Sequence, residues 1–298
     1  MSISSLEERY PEGSKKTVPR DVHGKSHGCV FGHIQIKNDL LPYELKTGIF
    51  KENDPYKIVM RYSSNDKKKN FKDVREDIRG LGMKVMNVDN EIGRSQDFLF
   101  LASEAFFIKD NSFYVKFLKV LFDSSKTWSG LWLAWNNPKG AWSVGKDMVR
   151  TTFHYENPLA IPFFSAVPYR LGAEFKEDGS ENFSRRAVKY RIQETSCKRV
   201  TTFQWLKKIG RRTYESLPAN KLFFPNYLRQ NLRNAMNKAD ACLTLSVQIR
   251  SQKDKYKYPV EDSTRPWDVD YIEVGDIRLH SQSFDLSLIH ISEPTRPY

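Results

Sequence analysis

The alternation of apolar and polar positions marks strands in two blocks of the chain. Val30 to Ile36, V-F-G-H-I-Q-I, and Lys57 to Ser63, K-I-V-M-R-Y-S, are rich in β-formers, and Pro55 precedes the second run. Gly82 to Val88 and Asp97 to Ile108 read as further strands of the first block. Ile161 to Arg170, Ala187 to Ile192 and Leu243 to Arg250 form the second. Between the blocks the period changes: Phe113, Phe117, Val120 and Leu121 stand at helical spacing, and Leu131 to Trp135 opens a second, aromatic helical region. Trp205 to Leu217 and Arg229 to Lys238 are two more helix candidates. There is no internal repeat. Strands interrupted by helices without regular βαβ alternation predict an α+β fold rather than a doubly wound sheet.

Polar residues around Pro11, Gly13 and Pro19 make residues 1–19 an arm that wraps a domain rather than an element of it. With 298 residues and 39% hydrophobic content, the rest is long enough for one large domain or two small ones with a buried core.

A formal net charge of +12 raises the local concentration of anions and brings nucleic acid, anionic membrane and anionic ligands into consideration. The basic residues are scattered, however. Their one run, Lys67 to Lys69, has no aromatic platform or zinc-finger spacing beside it, so it reads as a solvated loop and no nucleic-acid partner is expected. Cys29, Cys197 and Cys242 are few, odd in number and far apart, which argues against a disulfide framework and for a reducing compartment. No apolar stretch has the length of a signal core or a transmembrane span, so a soluble intracellular protein, cytoplasmic or peroxisomal, is expected.

The densest chemistry lies in Arg20 to Gly32, R-D-V-H-G-K-S-H-G-C-V-F-G. His23 and His27 are four apart and on a helix would share a metal, but Gly24 and Gly28 oppose a helix there. A satisfied buried or capping histidine without chemistry is the alternative.

Those residues resemble the N-terminal motif of the catalase superfamily, Arg-x-Val-His-x-Lys followed by a glycine in the first barrel strand, here Arg20, Val22, His23, Lys25 and Gly32. The K-S-H-G form at Lys25 to Gly28 is most similar to the short catalase-related proteins. Further matches follow in the family's order: R-Y-S at Arg61 to Ser63, D-I-R-G-L-G-M-K at Asp77 to Lys84, Q-D-F-L at Gln96 to Leu99, and F-F-I-K-D at Phe106 to Asp110. Then come P-Y-R-L-G at Pro168 to Gly172, A-V-K-Y at Ala187 to Tyr190, D-S-T-R-P-W at Asp262 to Trp267 and Y-I-E-V-G at Tyr271 to Gly275.

The resemblance implies an antiparallel eight-stranded barrel with surrounding helices and haem b packed against it. It implies a peroxidase or catalase-like oxidoreductase acting on hydrogen peroxide or organic hydroperoxides. His23 would be the distal acid and base, Arg20 and Arg61 the partners of the haem propionates, and Ser63 the residue that orients His23. Val22, Phe107 and Tyr114 would complete the haem pocket. A homo-oligomer fits the family. Fatty-acid hydroperoxide isomerases such as allene oxide synthase, and a haem- or lipid-binding barrel without catalysis, are the alternatives.

Two departures from the family pattern matter. The run Phe100 to Phe107, F-L-A-S-E-A-F-F, lacks the distal asparagine that hydrogen-bonds peroxide in catalases. The proximal Arg-x-x-x-Tyr is not found where expected: Arg186 to Tyr190 has that spacing but coincides with the A-V-K-Y strand. The core is therefore placed at residues 1–284, and residues 285–298, which include S-L-I-H-I-S-E-P-T-R-P-Y, are read as a non-native, adapter-like tail. The proximal tyrosine is expected further along the natural chain, beyond the residues that match the family pattern.

Overall fold

In the computed structural model, residues 23–43, 46–65, 72–74, 77–90, 93–106, 108–109, 112, 114–116, 135, 138, 155–171, 186–197, 225–250, 254 and 256–283 are described. Among the described residues nine strands run in chain order: β1 (Lys25–Ile36), β2 (Pro55–Ser64), β3 (Arg79–Asn90), β4 (Gly93–Leu101), β5 (Phe163–Phe164), β6 (Tyr169–Leu171), β7 (Arg186–Thr195), β8 (Ala241–Ile249) and β9 (Ile272–Leu279). All pairings are antiparallel, in the order β5-β4-β3-β2-β1-β9-β8-β7-β6. The additional β5–β7 pairing closes the sheet into an eight-stranded barrel, with β6 continuing β5 along the same edge of β7.

The closing strand is broken for an identifiable reason. Phe163 faces Ile192 but Tyr169 faces Val188, so the chain carries two extra residues between β5 and β6. Ala166 takes them through a left-handed conformation at φ 56°. Ser165 keeps the ladder satisfied: its amide donates to the Tyr190 carbonyl at 2.9 Å, and its Oγ accepts the Tyr190 amide at 3.1 Å.

Alternation along the strands sends one parity inward. Val30, Ile34, Ile58, Met60, Tyr62, Leu81, Met83, Val85, Phe98, Phe100, Val188, Tyr190, Leu245, Val247 and Ile277 fill the barrel as one continuous core. Here side chains occupy the interior, and the outer wall and the barrel ends are the surfaces considered for a ligand. Gly32 permits the β1–β9 seam: a Cβ there would lie 2.2 Å from the Arg278 carbonyl oxygen.

One described α-helix, α1 (Tyr227–Lys238), lays Leu228, Leu232 and Met236, all buried, in an i, i+4, i+8 stripe against the barrel. The strands run longer than sequence periodicity indicated, because pairing extends them into polar ends such as Lys25–His27. β9 was not read as a strand from the sequence, and β4 ends at Leu101 rather than Ile108. The expected helices at 113–122, 131–135 and 205–217 lie largely or wholly outside the described residues, as does the tail from 285.

One expectation is overturned. Cys197 and Cys242 form a disulfide, with Cα atoms 5.0 Å apart, and Cys29 is buried outside the bridge. Their separation of 45 residues hid a short distance: Cys242 opens β8 opposite Thr195 of β7, and Cys197 lies two residues past Thr195. The inference of a reducing compartment from cysteine count loses its basis with it.

Candidate functional site

The site begins where β1 begins. His23 stands two residues before the strand with φ at +56°, a left-handed conformation that a non-glycine residue adopts only when its surroundings fix it. Those surroundings are β2 and β3. The His23 amide donates to the Asn65 carbonyl at 3.1 Å, and Arg61 Nη2 donates to the His23 carbonyl at 2.9 Å. The ring is held as firmly: Ser63 Oγ lies 3.2 Å from His23 Nδ1 and also donates to the Gly80 carbonyl at 3.2 Å.

Ser63 and Gly80 face each other across the β2–β3 ladder. A Cβ on residue 80 would come within 2.4 Å of His23 Cε1 and 2.5 Å of Nδ1, so the imidazole rests on backbone that only glycine leaves bare. The tautomer follows. Because the Ser63 hydroxyl hydrogen goes to Gly80, its oxygen accepts from His23 Nδ1–H, and the neutral ring then carries its lone pair on Nε2.

The R-Y-S and D-I-R-G-L-G segments, sixteen residues apart in sequence, are thus brought into register as one surface, with Arg61 opposite Gly82 and Ser63 opposite Gly80. Gly82 extends this wall: among the described residues a Cβ there would meet nothing closer than Leu99 Cδ2 at 4.0 Å. Leu99, opposite Gly82 on β4, is largely exposed.

The second histidine has a different fate. His27 bonds through Nε2 to Ser64 Oγ at 2.9 Å, whereas His23 contacts Ser63, and adjacent residues of a strand point to opposite faces. A register irregularity in β1 between Ser26 and Gly28 turns the strand's polar start toward the barrel end. The two histidines therefore do not share a metal. Among the described residues no group of three or more His, Cys, Asp or Glu side chains is arranged to hold one.

His27 belongs to a buried polar cluster beneath the site. Lys25 Nζ pairs with Asp73, both fully buried, and donates to the Pro225 carbonyl at 2.9 Å. Asp73 Oδ2 accepts the Leu228 amide at 2.9 Å and so caps the start of α1, which has no cap from Asn226. Arg79 donates to Ser64 Oγ and, at 2.6 Å, to the Asp73 carbonyl. Burial, reinforced by the charges of Arg79 and Lys25, holds the His27 pKa well below its ordinary value, so His27 is neutral. Burial likewise lowers the Lys25 pKa despite its carboxylate partner.

Among the other residues singled out from sequence, Tyr114 sets its ring edge-on to Phe106 with centroids 5.6 Å apart. Arg20, Val22 and Phe107 lie outside the described residues. Tyr190 points into the barrel core, packed against Phe50, Phe98 and Tyr169, and burial pushes its pKa up. It is no ligand on the outer wall. The D-S-T-R-P-W segment is structural: Asp262 accepts from Thr264 Oγ1 at 2.6 Å, and Ser263 Oγ donates to the Ile108 carbonyl at 2.9 Å. The contact of Gly80 with His23 and the anchor at Asp73 were not anticipated. Gly80 was visible in its motif, but Asp73 sits in K-D-V-R with no sequence signal.

No family model and no curated protein sequence matches the chain. Solved structures do resemble its fold. A fungal catalase superposes with a TM-score of 0.64 at 18% identity, over 91% of this chain and 52% of its own. Catalase A from Saccharomyces cerevisiae gives 0.61 at 20%, over 91% and 53%. A bacterial catalase gives 0.65 at 19%, over 95% and 52%. The chain spans about half the length of these structures, and it has a catalase-like barrel fold.

Proposed function

We propose that the chain forms the distal half of a haem-dependent, peroxidase-like active site that acts on hydrogen peroxide or an organic hydroperoxide, with His23 as the acid–base group. The observation that carries this reading is the fixed imidazole: positive φ, a seat on Gly80 and a Ser63-defined tautomer put a lone pair on Nε2 of a partly buried ring. Such a base takes a proton from one peroxide oxygen and returns it to the other as the O–O bond breaks.

The surroundings suit a flat apolar ring. Gly82 and Leu99 offer an apolar wall beside the histidine, while side chains fill the barrel core. Haem b bound there would supply the electrons for O–O cleavage. Arg61 would meet a propionate, although Nη2 already holds the His23 carbonyl, which makes Arg61 a positioning residue first. Arg20, Val22, Phe107 and Tyr114 are proposed pocket residues on the strength of the family motif alone, and the axial ligand falls outside the matched residues.

A weaker enzyme than a true catalase, down to a haem-binding barrel without turnover, is favoured by one observation. Where the family motif carries its asparagines this chain has Leu101 and Ala102, which offer no side-chain donor, and the hydroxyl of the following Ser103 is committed to the Ala105 carbonyl at 2.8 Å. Loss of a preorganised donor of that kind costs about 10²–10³ in rate.

The test uses the protein expressed from its full gene and titrated with haemin. A Soret band with consumption of organic hydroperoxide faster than oxygen release supports the peroxidase reading. Rearranged lipid hydroperoxide as the product would point to the isomerase, and absence of a Soret band would remove every haem reading.

A further inference from the structure

On the outer wall of the barrel, away from the His27–Asp73 cluster, the pairing of β1 with β9 brings His33 of β1 beside His280, the residue that follows β9. His33 Nδ1 lies 2.9 Å from His280 Nε2, with ring centroids 5.1 Å apart and the rings at 69°. Both are exposed; His33 stands opposite Arg278 in the β1–β9 ladder, and His280 directly follows Leu279, the ladder's last residue. His33 is on β1 and His280 is the first residue after β9, held there by its neighbours, for the Gln282 side chain bonds both the Phe31 amide and carbonyl.

The other nitrogen of His280 faces a carboxylate. Nδ1 is 4.0 Å from Asp240 Oδ2. Asp240 is itself fixed, accepting from Arg278 Nε at 2.7 Å and from the Ser281 amide at 2.8 Å. These bonds hold the Asp240 pKa below the usual carboxylate value. A carboxylate on Nδ1 favours the tautomer with its lone pair on Nε2, the arrangement by which outer carboxylates orient metal-binding imidazoles. In the observed pair that lone pair accepts a hydrogen from His33 Nδ1.

We propose that His33 Nδ1 and His280 Nε2 form a two-imidazole site for a late first-row divalent cation, Zn²⁺ or more tightly Cu²⁺, with water completing the coordination and Asp240 as the outer carboxylate. The cation takes the place of the shared hydrogen, whose proton moves to His33 Nε2 through solvent, leaving the charge of the pair unchanged. Zinc–nitrogen bonds of about 2.0–2.1 Å in a tetrahedral site need the two nitrogens roughly 3.3 Å apart, so the side chains open by about 0.4 Å. Exposed side chains make that movement without disturbing the ladder. Imidazole ligands and the order of divalent affinities select these cations over Mg²⁺ and Ca²⁺.

The experiment titrates zinc chloride into the untagged full chain near neutral pH by calorimetry, and repeats it on His33→Ala and His280→Ala, with far-UV circular dichroism to verify the fold. One equivalent of zinc is expected, weakened at least about tenfold in each variant, as loss of one of two ligands requires. Independently of any variant, less than one equivalent of Cu²⁺ should give an electron paramagnetic resonance spectrum coupled to two imidazole nitrogens. Absence of zinc binding, binding that persists unchanged in either variant, or a copper spectrum with fewer than two nitrogens overturns the proposal.

Discussion

The imidazole of His23 lies against the bare α-carbon of Gly80, in the space a side chain at that position would fill. The contact joins the turn before β1 to the outer face of β3, and everything proposed for His23 depends on it. Gly80→Ala is expected to displace the ring, costing about 1–3 kcal/mol of stability from overpacking. Hydroperoxide turnover should fall much further than this loss implies. Parallel denaturation and steady-state assays check the split.

Ser63→Ala removes the group that defines the His23 tautomer while leaving the barrel wall in place. Turnover should fall by about 10- to 100-fold, with the unfolding midpoint little changed. Unchanged turnover at equal haem occupancy would assign Ser63 a structural role only.

The Lys25–Asp73 pair is buried and ties β1 to the start of α1. Asp73→Ala strands the Lys25 charge and uncaps α1, so it should cost about 3–5 kcal/mol in chemical denaturation. A smaller loss from the double variant Lys25→Met/Asp73→Asn, which removes both charges and keeps most of the volume, would show that the penalty comes from the uncompensated charge.

His27 gives stability a specific pH dependence. Its folded pKa lies well below the ordinary 6.5, so the unfolded chain binds the proton more readily. Stability from this group is fully present above about pH 6.5 and is lost as pH falls toward the folded pKa, by at most about 1.4 kcal/mol per pH unit. His27→Gln should flatten the stability curve between about pH 6.5 and 5.

The disulfide is checked by counting thiols. In denaturant without reductant one of the three cysteines, Cys29, should react, and all three after reduction. Reduction should lower stability by about 2–4 kcal/mol, since the bridge closes a long loop in the unfolded chain.

Much of this was legible in the sequence. The strand runs of β1, β2 and β7 were visible because one face of each is buried and alternation records it. The motifs around His23, Ser63 and Gly80 pointed to one site because short strands carried them in order. β9 escaped because I-E-V-G-D-I-R-L interrupts its alternation with Gly275, where Ile34 packs close. The cross-link between Cys197 and Cys242, the opposite orientations of His23 and His27, and the anchor at Asp73 depend on register and a bulge, which no local pattern encodes. Tyr190, at iron-ligand spacing from Arg186, shows the converse: correct spacing on an inward-facing position of a barrel strand.

The central claim is that His23 moves the proton during peroxide O–O cleavage, and it is tested most directly by comparing haemin-loaded wild type with His23→Ala in organic-hydroperoxide consumption. With equal Soret bands in the two proteins, the rate should fall by about 10²–10⁴-fold in the variant. Equal rates at equal haem occupancy would contradict it.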